Sequence, residues 1–104
     1  MKKTFTFIVP NKKPERQCDS IKYEVKKYIA RERRKKLPDG ADFWDFDCKI
    51  GDDVETAEEI HVSQINKEVT KVFESGKENF YLEVMVKPKN RMLKSSAGTV
   101  EDLD

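Results

Sequence analysis

The stretch from Arg31 to Ile50 reads RERRKKLPDGADFWDFDCKI and joins a charged helix end to an alternating segment. Pro38 and Gly40 stop a helix, because proline lacks the backbone donor that a helix needs and glycine favours turn conformations. From Phe43 onward, apolar and polar residues alternate, and this period of two predicts a β-strand. The stretch therefore predicts a helix, a turn and a strand in direct succession.

The alternation divides this strand into two faces. One face is apolar and is predicted to enter the core: Trp44, Phe46, Cys48 and Ile50. The other face is mainly charged: Phe43, Asp45, Asp47 and Lys49. A strand with one apolar face fits a sheet that is covered on one side only.

Upstream of this stretch, the sequence predicts one strand and one helix. Residues 2–9 alternate with a period of two and predict a half-buried strand. Pro14 and Glu15 suit the first turn of a helix, which is predicted to extend to about Lys36. Apolar residues at steps of three and four give this helix one core-facing stripe. The stripe consists of Cys18, Ile21, Val25, Tyr28 and Ile29.

Downstream, the sequence predicts a strand, a helix and a further strand. Two apolar residues at strand spacing predict a short strand within residues 55–62, in a hairpin with the strand before it. A second helix is predicted after Ser63 as its N-terminal cap, and Gly76 is expected to end it. Alternation over residues 79–87 predicts the last strand.

The order βαββαβ predicts an α+β fold, a two-layer sandwich with the ferredoxin-like split βαβ arrangement. In that arrangement the strand beginning at Phe43 lies at a sheet edge, where Asp45 and Asp47 discourage pairing with another chain. If residues 55–62 form no strand, the alternative is a three-stranded βαβαβ sheet with both helices on one face. Residues 1–90 are predicted to form a single domain, and residues 91–104 a flexible tail.

Charge is divided unevenly along the chain, although the net value is only +1. Residues 1–36 carry a net charge of +9, residues 37–59 carry −8, and the remainder is neutral. A cation cluster binds polyanions, because each phosphate that it neutralises releases a counterion. We therefore expect a non-enzymatic binding module that contacts RNA or another polyanion, with Tyr23 available to stack on a base. The expected contact residues are Lys22, Lys26, Lys27, Arg31, Arg33, Arg34, Lys35 and Lys36.

Two other interpretations of the charge pattern stay open. In the first, the cations only complement the helix dipole and pair with Glu24, Glu32 and the acidic segment that follows. In the second, the opposed patches bind a protein partner through Phe43, Asp45 and Asp47, and the chain is a monomer or a weak, salt-sensitive oligomer. The deciding observation is whether Arg33 and Arg34 pair with aspartates of the acidic segment.

A weaker alternative is a metal-dependent enzyme that uses Asp45 and Asp47, whose carboxylates point the same way on a strand. The sequence offers no further ligands at a recognisable spacing, and His61 is expected to pack at a strand end. Cys18 and Cys48 match no zinc motif and are expected to be core thiols. We therefore predict no catalytic residue, no metal and no cofactor, and favour a binding module over an enzyme.

The sequence also carries a prediction of location. No apolar stretch approaches the ~20 residues that a membrane-spanning helix needs, so no membrane contact is expected. Residues 1–10 interleave polar and apolar side chains, which is typical of a strand and not of a signal peptide. Two cysteines without a disulfide spacing suit a reducing compartment, so we predict a cytoplasmic protein.

Three segments carry a resemblance to a known family. They read KKPER at residues 12–16, RERRKKLP at residues 31–38 and DFWDFDC at residues 42–48, with further similarity at residues 61–62 and 81–88. In these segments the chain resembles a family of short uncharacterised bacterial proteins, classed as a domain of unknown function. The resemblance implies a bacterial, cytoplasmic protein and assigns no catalytic residue.

Overall fold

A computed structural model describes residues 1–90 of the chain. Its elements are β1 (Lys2–Thr6), α1 (Pro14–Arg33), β2 (Phe43–Gly51), β3 (Glu58–Ile60), a 3-10 turn (Val62–Gln64), α2 (Ile65–Glu74) and β4 (Asn79–Lys89). They form one four-stranded antiparallel sheet and two helices, which confirms the predicted α+β class. Because β3 pairs with β2, the three-stranded alternative is wrong. The predicted tail, residues 91–104, lies outside the described residues.

The strand order is β1-β4-β2-β3, which places β4 and β2 in the interior of the sheet. The prediction that β2 is an edge strand is therefore wrong, and the ferredoxin-like arrangement is not confirmed. The reason is the length of β4, which has eleven residues and pairs with all nine residues of β2 from Phe43↔Lys89 to Gly51↔Tyr81. The edges are formed by the shorter strands β1 and β3.

The core lies between one face of the sheet and the two helices. Alternate residues of β4 supply its centre: Phe80, Leu82 and Val84 are each 0% exposed. Phe80 stacks between two aromatic residues of the N-terminal segment, with ring centroids 5.4 Å from Phe5 and 5.3 Å from Phe7. Among the described residues no charged side chain is buried. The core is therefore held by apolar contact alone.

Helix α1 buries the predicted stripe but ends earlier than expected. Four of its five apolar positions are buried, and Tyr28 is half-buried against the core. The helix ends at Arg33, and the N–H groups of Arg34 and Lys35 donate to carbonyls only three residues back. This tighter turn leads out of the helix ahead of Pro38. Residues 34–36, predicted to be helical, thus lie just beyond the helix.

The start of α2 also differs from the prediction. Ser63 was expected to cap the helix, but the cap of the preceding 3-10 turn is His61. Its ring Nδ1 accepts from the N–H of Ser63, and Gln64 Oε1 accepts from the N–H of His61 at 2.8 Å. His61 thus has a structural role at a helix start, where its hydrogen bonds satisfy backbone donors that have no partner in the turn.

Both cysteines are free, buried thiols, as predicted. Cys18 lies in the stripe of α1 and Cys48 on the inner face of β2. Burial raises the pKa of the Cys48 thiol to about 11 and also raises the pKa of Cys18. Because the thiolate is the reactive form, both act as apolar core groups in the folded chain.

Candidate nucleic-acid interface

Six exposed cations lie in the second half of α1 and in the residues just after its end at Arg33, and we call this set the α1 basic face. Its residues are Lys26, Lys27, Arg31, Arg33, Arg34 and Lys36. The spacing of Lys27, Arg31 and Arg34 is four and three residues, so these side chains follow one line along the helix. None of the six forms an ion pair with another residue in the range 1–90. The face therefore presents uncompensated positive charge.

Two of the residues predicted for this surface have other roles. Lys22 is half-buried and donates from its ammonium to Thr70 Oγ1, which ties α1 to α2. The ammonium of Lys35 pairs with Glu32 at 2.8 Å. Sequence spacing could not show the contact of Lys22, since it joins two helices that are far apart along the chain, whereas the three-residue spacing of Glu32 and Lys35 does indicate their pairing. The predicted set of eight is thus reduced to six.

Two of the four acidic residues of α1 pair with lysines outside the basic face. Glu24 pairs with Lys3 of β1 at 2.7 Å, and Glu32 pairs with Lys35. These two carboxylates thus contact lysines of β1 and of the helix end and not the α1 basic face. Their pairing leaves the positive charge of the face available to a negatively charged partner.

The deciding question was whether α1 is neutralised by the acidic segment after it. Asp45 and Asp47 do not contact α1; they pair with β4, at 3.9 Å to Lys89 and 2.6 Å to Lys87. The guanidinium of Arg33 instead lies 5.1 Å from the ring centre of Phe46. Within the described part of the chain, the acidic segment thus leaves the arginines of α1 without a carboxylate partner.

The outer face of the sheet balances its own charges. Phe43, Asp45 and Asp47 lie together on this face, as the alternation predicted. The register also brings Lys49 of β2 between Glu83 of β4 and Glu59 of β3. Opposite charges on neighbouring strands stabilise a sheet. The sequence does contain a signal for the ion pairs between β2 and β4, namely alternating lysines in β4 and alternating aspartates in β2. This signal predicts the ion pairs only when the register of the two strands is known.

Tyr23 is the exposed aromatic residue beside the α1 basic face. Its side chain is 62% exposed, and the ammonium of Lys27 lies 5.4 Å from the centre of its ring. An exposed ring next to cations offers a stacking surface for a base together with contacts for the phosphates. Tyr23 therefore belongs to the candidate interface.

The geometry gives little support to the hypothesis of a metal-dependent enzyme. Across residues 1–90, no group of three or more His, Cys, Asp or Glu side chains is placed to hold a metal ion. His61 is engaged by the 3-10 turn, and the two aspartates by lysines. The structure thus brings Asp45 and Asp47 together without further ligands.

Replacing Asp47 with asparagine is expected to remove a pH-dependent contribution to stability. The hydrogen bond from Lys87 lowers the pKa of Asp47, so the unfolded chain binds more protons at moderately acidic pH. The stabilisation is present above the ordinary pKa of an aspartate and is lost as the pH falls through the lowered value. Urea unfolding of both proteins across the acidic range measures this as a stability gap that closes toward low pH. A gap that stays constant into strong acid would contradict the assignment.

Comparison with known proteins gives a family but no assigned activity. A family model described as a family of unknown function (DUF6172) matches residues 1–95. No curated protein and no solved structure matches the chain. Neither α1 nor α2 is long and apolar enough to cross a membrane.

Proposed function

The chain belongs to the family of unknown function DUF6172, and we propose that it is a binding module that contacts RNA through the α1 basic face. The observation that carries the proposal is the set of exposed arginines at the C-terminal end of α1, Arg31, Arg33 and Arg34, none of which has a carboxylate partner within residues 1–90. Four carboxylates of α1 and β2, those of Glu24, Glu32, Asp45 and Asp47, pair with lysines of β1, β4 and the helix end instead.

The charge pattern favours a phosphate chain over a single anion. The cations of the α1 basic face extend along the helix and do not converge on one point, which suits a partner with charges at regular intervals. Arginine is well suited to this task, since its planar guanidinium presents several donors to phosphate oxygens. Tyr23 adds a stacking surface, and stacking favours single-stranded nucleic acid, whose bases are accessible.

The other two hypotheses have less support. A protein interaction through opposed patches needs a free acidic patch, but Asp45 and Asp47 are already paired with lysines of β4. A metal-dependent reaction needs more ligands than these two residues provide. RNA binding is therefore the function that the geometry supports best.

The test is a binding titration with a fluorescent single-stranded oligouridylate at several salt concentrations. In the test variant Arg31, Arg33 and Arg34 are replaced with glutamine. For single strands each contacting cation contributes about 0.7 to the slope of log affinity against log salt, so losing three contacts should flatten the slope by about 2. We expect the variant to bind weakly at all salt concentrations.

The matched control removes the same charge elsewhere. Lys2, Lys13 and Lys67 are exposed, are spread over β1, the α1 entry and α2, and form no ion pair within the described residues. Replacing all three with glutamine should leave most of the affinity and the slope intact. Equal losses of affinity in both variants would show that the oligonucleotide is attracted by net charge only. Unchanged affinity in the arginine variant would exclude the α1 basic face as the binding site.

A further inference from the structure

A groove lies between the second half of α1 and the start of α2, and we call it the interhelical groove. One wall is formed by residues of α1, including Lys26, Ala30 and Arg33. The other wall is formed by the 3-10 turn and the first turn of α2, including Val62 and Asn66. Its volume is about 520 Å³, which lies within the range of about 300–1,000 Å³ that is typical of small-molecule sites.

The interhelical groove has an apolar lining beside a small side chain. Ala30 and Val62 line it from opposite walls, and both are half-buried. On α1, Ala30 follows Lys26 by four residues and precedes Arg33 by three, so these three side chains lie on one line along the helix. The alanine between two long cationic side chains leaves room there, and its methyl group is the apolar contact that α1 offers at the surface.

Polar side chains flank this apolar lining on both walls. Lys26 and Arg33 are exposed, and neither forms an ion pair within residues 1–90. On the opposite wall, the backbone carbonyl of Asn66 accepts from Thr70, whereas its exposed side-chain amide makes no hydrogen bond among the described residues. An amide has both a donor and an acceptor to offer. The groove therefore combines apolar surface, two cations and a free amide.

The interhelical groove adjoins the candidate interface. Lys26 and Arg33 line the groove and also belong to the α1 basic face. Tyr23 precedes Lys26 by three residues, so the exposed ring lies one turn further along the same side of the helix. A strand that contacts Tyr23 and the α1 basic face therefore passes the opening of the groove.

We propose that the interhelical groove binds one base of the RNA strand that contacts the α1 basic face. This inference rests on the function proposed above and adds a second base contact to the stacking on Tyr23. A base has apolar faces and a polar edge. Its faces pack against Ala30 and Val62, its edge pairs with the Asn66 amide, and Lys26 and Arg33 contact the adjoining phosphates.

Other occupants match the interhelical groove less well. An apolar side chain of a partner protein would fill the apolar lining but would bring no negative charge to Lys26 and Arg33. A double helix brings phosphates, but its bases are paired and stacked and do not enter a groove. A single strand supplies both the charge and an accessible base, and sequence-specific proteins commonly bind such splayed bases.

The direct test is an NMR titration of the isotope-labelled full-length chain with unlabelled oligouridylate. We expect intermolecular nuclear Overhauser effects from the uracil H5 and H6 protons to the methyl groups of Ala30 and Val62. Bound RNA that gives no such contacts would overturn the inference and would leave RNA binding itself standing. The function and the groove are thus tested by different observations, since the arginine variant reports on the function through the salt dependence of affinity.

A variant that fills the groove checks the contribution of the base. Ala30→Leu keeps every charge, and leucine is a good helix former. It should weaken oligouridylate binding about fivefold or more, as expected for the loss of one base contact. Affinity for an abasic strand of the same length, and the salt dependence of that affinity, should stay unchanged because the phosphate contacts remain. Ala41→Leu makes the same change at a half-buried position outside the groove and should bind both strands as the unaltered chain does.

Two results with these variants would contradict a base in the interhelical groove. Unchanged oligouridylate affinity in Ala30→Leu would show that the groove is not used. An equal loss for oligouridylate and the abasic strand would show that only the phosphate backbone passes there. If Ala30→Leu does not fold, the nuclear Overhauser effects in the unaltered chain decide the question alone.

Discussion

Replacing Phe80 with alanine is expected to lower the free energy of unfolding by about 3–5 kcal/mol, the usual cost of removing a buried phenyl ring. Phe80 is 0% exposed and lies on β4 in the interior of the sheet. Its ring stacks with both Phe5 and Phe7. The variant therefore loses the apolar surface of one ring and two aromatic contacts, and the rigid strands on either side limit collapse of the cavity.

The measurement is urea unfolding followed by circular dichroism. Small domains are stable by about 5–15 kcal/mol, so the variant should unfold at a much lower urea concentration or be partly unfolded without urea. Tyr23→Ala is the matched control, because it also removes an aromatic ring, but from a side chain that is 62% exposed. It should change stability by about 0.5 kcal/mol at most. Similar losses in the two variants would contradict the central position of Phe80.

Local sequence pattern predicted the elements well, because it reports which face of each element is buried. The alternation of β2 and β4 placed Phe46 and Leu82 in the core, and the stripe of α1 did the same for Val25. Proline and glycine marked the turn before β2. These signals act over a few residues and need no knowledge of distant contacts.

Local sequence pattern could not predict the strand order, because the order depends on which strands pair, and the paired strands are far apart in sequence. The split βαβ expectation put β2 at an edge, but β4 is long enough to cover all of β2 and so lies beside it. The contacts of individual charged side chains were missed for the same reason. Lys22 contacts α2, and Asp47 contacts β4, each through residues far apart in sequence.

The change of charge sign after α1 now has a structural explanation. Before Pro38, the six cations of the α1 basic face are exposed. After it, the aspartates enter the outer face of a sheet, where β4 supplies their lysine partners. The two charge blocks therefore lie in different layers of the fold. Asp45 and Asp47 are paired with lysines, whereas the α1 basic face has no carboxylate partner within residues 1–90, and the proposal of RNA binding rests on this difference.

Replacing Gly51 with valine is expected to destabilise the chain by about 1–3 kcal/mol, the usual cost of overpacking. A side chain does not fit at this position, because a Cβ atom at Gly51 would lie 2.6 Å from the Cα of Ala57 and 2.9 Å from its backbone nitrogen. Backbone atoms cannot rotate away as a side chain would. The loop that leads from β2 into β3 must therefore move, and the pairing of β3 with β2 should weaken first.

Hydrogen exchange in Gly51→Val distinguishes this local effect from general destabilisation. The amides of β3 should lose protection more than those of β4, because β4 stays paired with both β1 and β2. Met85→Val is the control, since Met85 lies on the same sheet face at 38% exposure and valine suits a strand. It should change stability by about 0.5 kcal/mol at most. If Gly51→Val changed stability as little as Met85→Val, the loop would be free to shift. The pairing of β3 would then not depend on the close approach of Ala57 to β2.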